Sequence, residues 1–216
     1  MKLYSYFRSS ASYRVRIALA LKGLAYDYQA VHLAKGEQRG ADFAAVSPDR
    51  LVPVLEVAGT RLSQSMAIIE YLDETHPTPP LLPADPLQRA QVRALAESIA
   101  CEIHPINNLR VLQYLTQELQ VDAAAKTAWY RHWCRSGLEA FERQLVQLRA
   151  QHGAARFCVG DQPGLADCCL VPQIFNAQRF AVDLTGLPLT MAACEAALAL
   201  PAVQAARPEA CPDFEP

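Results

Sequence analysis

The stretch FRSSASYRVRIALALKG, residues 7–23, begins as a cluster of hydroxyls and turns into a helix. Ser9, Ser10 and Ser12 stand at its mouth; Val15, Leu19 and Lys22 then recur at helical spacing beside Ile17, Ala18 and Leu21. Gly23 falls where a left-handed C-cap belongs, and Lys22 sits in the last turn, where a cation complements the helix dipole. The segment before it, KLYSYF (2–7), is short and aromatic and reads as a strand. Capping a helix takes one serine, so the remaining hydroxyls pose the question of a second task.

Outward from this stretch, AYDYQAVHL (25–33) alternates and reads as a second strand, and residues 38–46 as a short, weak helix. VPVLEVAGTRL (52–62) is two strands around Ala58-Gly59, a hairpin. SMAIIEYLDETH (65–76) is an amphipathic helix with Ser65 expected as its N-cap. The order is β-α-β-α-β-β-α. HPTPPLLPADP (76–86) carries five prolines and cannot be helical; it reads as a linker. Long periodic runs follow over about 87–118, 123–151 and 165–180, with a shorter one near 187–199. The last ten residues, RPEACPDFEP, read as an irregular tail. The expected fold is α/β plus all-α, with one domain over 1–80, the linker over 81–87 and a helical domain over 88–216.

Composition narrows the function. The formal net charge of −2 gives no bulk attraction to nucleic acid or to a membrane surface. The start MKLYSYFRSS lacks the apolar core of a signal peptide, and RIALALKGLA is interrupted by Lys22 and Gly23 before it reaches membrane-spanning length. The seven cysteines are an odd number and none stands in a CxxC spacing, which argues against a disulfide framework or zinc site and for a reduced, cytoplasmic chain. No His/Cys/carboxylate cluster suggests a metal.

A β-α-β-α-β-β-α unit joined by a proline linker to an all-helical half resembles the cytosolic glutathione transferases, with a thioredoxin-like N-terminal domain. SSASYRVRIALALKG resembles the zeta-class signature, and LVPVLE, QSMAIIEYLDE, PLLP, VGDQPGLADCCLVPQ and RFAVDLTGLP resemble zeta-class segments in order and spacing. Ala11 departs from the family, which usually has cysteine there. IHPINN (103–108) is closer to the bacterial maleylpyruvate isomerases than to the zeta form, which usually has glutamine where His104 stands. The resemblance implies glutathione as a regenerated cofactor, a small diacid as substrate, a homodimer, and cis–trans isomerisation of maleylacetoacetate or maleylpyruvate to the fumaryl isomer in aromatic catabolism. The rival readings are a transferase that conjugates or dehalogenates small electrophiles and consumes glutathione, and a non-enzymatic binding module on the same fold.

The chemistry suits these residues. A free thiol has a pKa near ~8.5, and a helix N-terminus favours its anion. A serine hydroxyl adds a hydrogen bond to charge worth roughly 1.5–3 kcal/mol, one to two pK units. By the resemblance Ser9 is the thiolate-stabilising serine and Ser10 a second donor, while plain capping is the competing account for Ser10 and Ser12. By the same resemblance Pro53 is cis, the Val52 backbone pairs with the cysteinyl part of glutathione, Gln64 and Ser65 receive the γ-glutamyl carboxylate, and Gln38 approaches the glycyl end; strand entry, capping and an exposed helical glutamine are the plain alternatives. Asn107 and Asn108 in a row lower helix propensity, and Pro105 should bend or break the helix there. His104 and Asn108 are candidates for glutathione or substrate contacts. Arg179 matches a family arginine that binds substrate carboxylate, and Arg8 and Arg110 are candidates for the second carboxylate, a task suited to a planar guanidinium. Arg14 and Arg16 are expected to be structural, pointing away from the helix start. Gly164 and Asp167 in GDQPGLAD (160–167) read as a folding element, a cap with only the returning half of a capping box.

Overall fold

The computed structural model describes residues 1–215. In chain order the elements are β1 (Lys2–Ser5), α1 (Ser10–Leu21), β2 (Asp27–Ala30), two short 3-10 turns (Leu33–Lys35, Glu37–Arg39), α2 (Ala41–Val46), β3 (Val54–Val57), β4 (Thr60–Ser63) and α3 (Ser65–Thr75). Then come α4 (Pro86–Glu97), a π-helical segment (Ser98–Ile103), the single turn α5 (His104–Ile106), α6 (Leu109–Gln117), α7 (Ala123–His152), α8 (Leu165–Arg179), α9 (Pro188–Leu198), α10 (Pro201–Ala205) and a final 3-10 turn (Pro208–Ala210). Two compact units result: Met1–Leu81 together with the segment from Leu198 onward, and Leu82–Ala197. The sequence division assigned all of 88–216 to the helical part; by packing, the chain from Leu198 belongs with the first unit.

The first unit is thioredoxin-like. Its sheet runs β2-β1-β3-β4, with β1 and β2 parallel and the other pairs antiparallel. The β3–β4 hairpin turns at Ala58 (φ 49°) and Gly59 (φ 80°), the pair of left-handed residues that a tight hairpin turn requires. Helix α1 buries an unbroken run from Ser12 to Leu19, because α3 and α10 both pack against it. A helix covered on several faces has no solvent side for its polar residues, so Arg14 and Arg16 are buried with the rest.

The second unit is all helical. Helix α7 buries Tyr130, Cys134, Leu138, Phe141 and Leu145, a stripe at three- and four-residue spacing. Helix α8 is buried over nearly its whole length. Its cap works as expected: Asp167 accepts from the Gly164 amide at 2.8 Å and the Cys158 amide at 2.9 Å, and burial pushes its carboxyl above the usual range. Buried Glu142 caps the start of α9, accepting from the Leu189 and Thr190 amides and the Thr190 hydroxyl.

The run expected as one helix over 87–118 is broken. Pro105 has no N–H to give the carbonyl four residues back, and its ring crowds that carbonyl. The preceding turn widens to π geometry, where the His104 amide reaches back to the Ile99 carbonyl. The chain then breaks at Asn107–Asn108, and α6 restarts with the Asn108 side chain capping the Arg110 amide at 3.1 Å. Among the described residues no helix is long and apolar enough to cross a membrane, and no cluster of His, Cys, Asp or Glu is placed to hold a metal ion.

Candidate active site

The loop between β1 and α1 carries the leading candidate. Ser9 has extended dihedrals (φ −70°, ψ 113°) and is itself the N-cap, so the cap is neither Ser10 nor Ser12. Its Oγ accepts from the Ser12 amide at 3.2 Å, and its own amide donates to the Tyr6 carbonyl at 3.0 Å. A hydroxyl has one proton and two lone pairs; capping uses a lone pair and leaves the proton, which no acceptor among the described residues takes. Capping and anion binding are therefore compatible at this one atom. Ser10 is the first helical residue, 5% exposed.

The second helix start in this unit shows the same economy. Gln64, not Ser65, is the N-cap of α3, and its side chain makes no capping bond. Gln64 holds φ 69° and ψ 115°, a region that costs a non-glycine residue roughly 1–3 kcal/mol and is typical of ligand clamps. Ser65 is the first helical residue, and its Oγ accepts from Nη1 of Arg14 at 3.2 Å. Its hydroxyl proton again meets no acceptor among the described residues, now beside a buried guanidinium. Donors, helix dipole and cation converge on one point, which fits an incoming carboxylate. Val52–Pro53 is a cis peptide immediately before β3, and both residues are buried. Gln38 lies in the 3-10 turn Glu37–Arg39, with a buried Oε1 that has no hydrogen-bond partner among the described residues.

Arg8 is held locally. Its Nη2 donates to the Glu215 carbonyl at 3.2 Å, and its guanidinium lies 4.9 Å from the Phe7 ring centre. Arg14 and Arg16 are both buried, and their contacts lie beside these two helix starts. Arg14 reaches Ser65, and Arg16 reaches back to the carbonyls of Tyr6 and Phe7. Arg16 does not point away from the helix start as expected, because helical side chains tilt toward the N-terminus. That tilt was the signal available in the sequence.

In the helical unit, His104 and Asn108 come together: the Asn108 Nδ2 and His104 Nε2 are 3.4 Å apart, across the break that Pro105 makes. Arg110 is exposed in the first turn of α6. Arg179 ends α8, with its guanidinium 5.9 Å from the Phe175 ring and 6.0 Å from the Phe180 ring, and Nη1 3.3 Å from Asn176 Oδ1. It is exposed and already oriented by these neighbours.

A thioredoxin-like sheet with two anion-ready helix starts defines the class: the first unit is a glutathione transferase N-terminal domain, and the family model described as glutathione S-transferase, N-terminal domain matches residues 8–75. Over its whole length the chain is 50% identical to a probable maleylacetoacetate isomerase of Vibrio cholerae, covering 98% of this chain and 97% of that one. A solved holo structure of a zeta-class bacterial maleylpyruvate isomerase superposes with a TM-score of 0.95 at 48% identity, covering all of both chains. A maleylacetoacetate isomerase from Anaeromyxobacter dehalogenans, solved with glutathione in its active site, is 46% identical with a TM-score of 0.87, covering 99% of this chain and 97% of that one. This chain belongs to the zeta-class glutathione transferases, the maleylacetoacetate and maleylpyruvate isomerase family.

Proposed function

We propose that this protein is a glutathione-dependent isomerase that converts a maleyl-keto acid, maleylacetoacetate or maleylpyruvate, to its fumaryl isomer. The observation that carries the proposal is the Ser9 hydroxyl, which caps α1 through its oxygen and keeps its proton for an anion. Ser65, Gln64 and the start of α3 would hold the γ-glutamyl carboxylate, Val52 and Pro53 the cysteinyl backbone, and Gln38 the glycyl end; His104 and Asn108 are further candidates for glutathione or substrate contacts. Glutathione, when bound, supplies a thiolate that adds to the cis double bond and departs after rotation, so it is regenerated.

The protein's own residues supply the electrostatics. Ser9 donates its proton toward the sulfur, with Ser10 as second donor, and the positive end of α1 lowers the cost of the charge there. Arg179 takes a substrate carboxylate, held over its two aromatic rings. Arg8 and Arg110 are assigned the second carboxylate; Arg8 then exchanges the neutral Glu215 carbonyl for a charged acceptor, the stronger kind of bond. A homodimer working in the cytoplasm belongs to the same proposal, supported by family membership.

The test is an ultraviolet assay of both maleyl substrates with catalytic glutathione on the wild type and on Ser9→Ala. The expected result is fumaryl product at constant glutathione, with the variant slowed by about ten- to a hundredfold, the kinetic equivalent of one hydrogen bond to charge. Stoichiometric loss of glutathione would favour the conjugating or dehalogenating transferase. Failure to bind glutathione would favour the binding module.

A further inference from the structure

Arg16 is 1% exposed and bonds through all three guanidinium nitrogens. Nη1 donates to the Tyr6 carbonyl at 3.3 Å and to the Ser5 hydroxyl at 3.1 Å; Nη2 donates to the Phe7 carbonyl at 3.1 Å. Nε donates to the Ala206 carbonyl at 3.0 Å, and the guanidinium lies 5.1 Å from the Tyr13 ring centre. Every acceptor is neutral. Among the described residues no carboxylate pairs with this charge, although a buried cation is costly without one. Tyr26, Tyr28 and Cys211 all feel Arg16, and burial pushes each toward its neutral form. The nearby carboxylate of Asp213 bonds instead to the Tyr28 hydroxyl at 2.6 Å and the Phe7 amide at 3.2 Å.

The Tyr6 carbonyl that Arg16 holds is the same one that receives the Ser9 amide. The Phe7 peptide is gripped at both ends, its carbonyl by Arg16 and its amide by Asp213. We infer that Arg16 is a positioning residue for the reaction: its buried guanidinium fixes the Tyr6–Phe7 carbonyls, and through them the Ser9 hydroxyl, with Asp213 as the opposing brace. The inference rests on the reading of Ser9 as the thiolate donor. It assigns work to the C-terminal segment too, which closes the network at Ala206 and Asp213. The unpaired positive charge adds to the same end, since it lies beneath the loop where a thiolate would be held.

The experiment measures the pKa of the bound glutathione thiol, by thiolate ultraviolet absorbance against pH, alongside kcat, the KM for glutathione and the melting temperature. Wild type is compared with Ser9→Ala, Arg16→Gln, Arg16→Lys and Asp213→Ala. Arg16→Gln is expected to raise the thiol pKa by about one unit and to lower kcat about tenfold, with a smaller change in KM. Arg16→Lys, which keeps the charge and fewer bonds, should recover part of both. Asp213→Ala should move both in the same direction as Arg16→Gln, and it decides the matter if the Arg16 variants do not fold. A lower melting temperature with unchanged thiol pKa and kcat in the folded variants, while Ser9→Ala shifts both, would overturn the inference and leave the Ser9 reading intact. An unchanged thiol pKa in Ser9→Ala would overturn the Ser9 reading and the inference with it.

Discussion

At the scale of the residue, one atom can serve two partners when they ask for different halves of it. Ser9 Oγ and Ser65 Oγ each accept one bond, from the Ser12 amide and from Arg14, and among the described residues nothing takes either proton. The motif made Ser9 legible in the sequence, but not its capping role. Which of several adjacent serines caps a helix is settled by where the backbone leaves the extended region, here at Ser9, and composition does not encode that. The position of Ser65 slipped by one for the same reason: Gln64 takes the non-helical dihedrals. Arg179 stood out in the sequence as the proposed carboxylate partner, and its aromatic support did not. Because Phe175, Phe180 and Asn176 orient it beforehand, its bond to a carboxylate should be worth about 1.5–3 kcal/mol, roughly ten- to a hundredfold in KM. Steady-state kinetics of Arg179→Ala on a maleyl diacid should show that rise, with Arg179→Lys between the two. An unchanged KM removes Arg179 from substrate binding.

At the scale of the element, the hairpin, α1, α3 and the long α7 followed from periodicity and turn residues, because each obeys one local rule throughout. The run over 87–118 did not, since its apolar spacing continues across a break that backbone chemistry imposes. Pro105 announced a disturbance; the π-helical widening before it depends on a partner outside the run. Gly137 of α7 packs against that widening. A Cβ built there would lie 2.3 Å from Ile103 Cγ1 and 2.6 Å from Ile103 Cδ1, so the glycine makes room for the Ile103 side chain of the widened segment. Gly137→Ala gains helix propensity but overpacks this contact, and the overpacking should win, at about 1–3 kcal/mol against about 1 kcal/mol. The melting temperature should fall. A second change, Ile103→Val, trims the clashing end and should recover part of the loss. If Gly137→Ala is as stable as wild type, the π segment owes nothing to that glycine.

At the scale of the whole molecule, the feature least legible in the sequence is the return of the C-terminus to the first unit. RPEACPDFEP has no periodicity, and its partners lie about two hundred positions earlier; the Phe7–Asp213 bond spans 206 residues. Local reading cannot reach that far. Yet Asp213 braces the candidate catalytic loop, Phe214 packs edge-on against Phe7 at 5.5 Å, and Glu215 meets both Lys35 and His32. The charges set a pH window for this docking. The bond from Lys35, and then that from His32, hold the Glu215 carboxyl below its ordinary value, and Glu215 in turn raises the Lys35 ammonium. A depressed acid stabilises the docked tail above its unfolded pKa, near ~4.3, and loses that contribution as pH falls through the lower folded value. A raised base contributes below ~10.4 and loses its share as pH climbs through the higher folded value. Between those limits the contribution of the Lys35–Glu215 pair should be flat. Because both groups are exposed, added salt should weaken it. Ring-proton shifts of Phe214 report the contact with Phe7, so an NMR titration should show a change on the acid side. In Lys35→Gln the acid limb should move up toward the ordinary glutamate value. If the Phe214 resonances ignore both Lys35→Gln and salt, the ion pair does not hold the tail, and Asp213 with its two hydrogen bonds does.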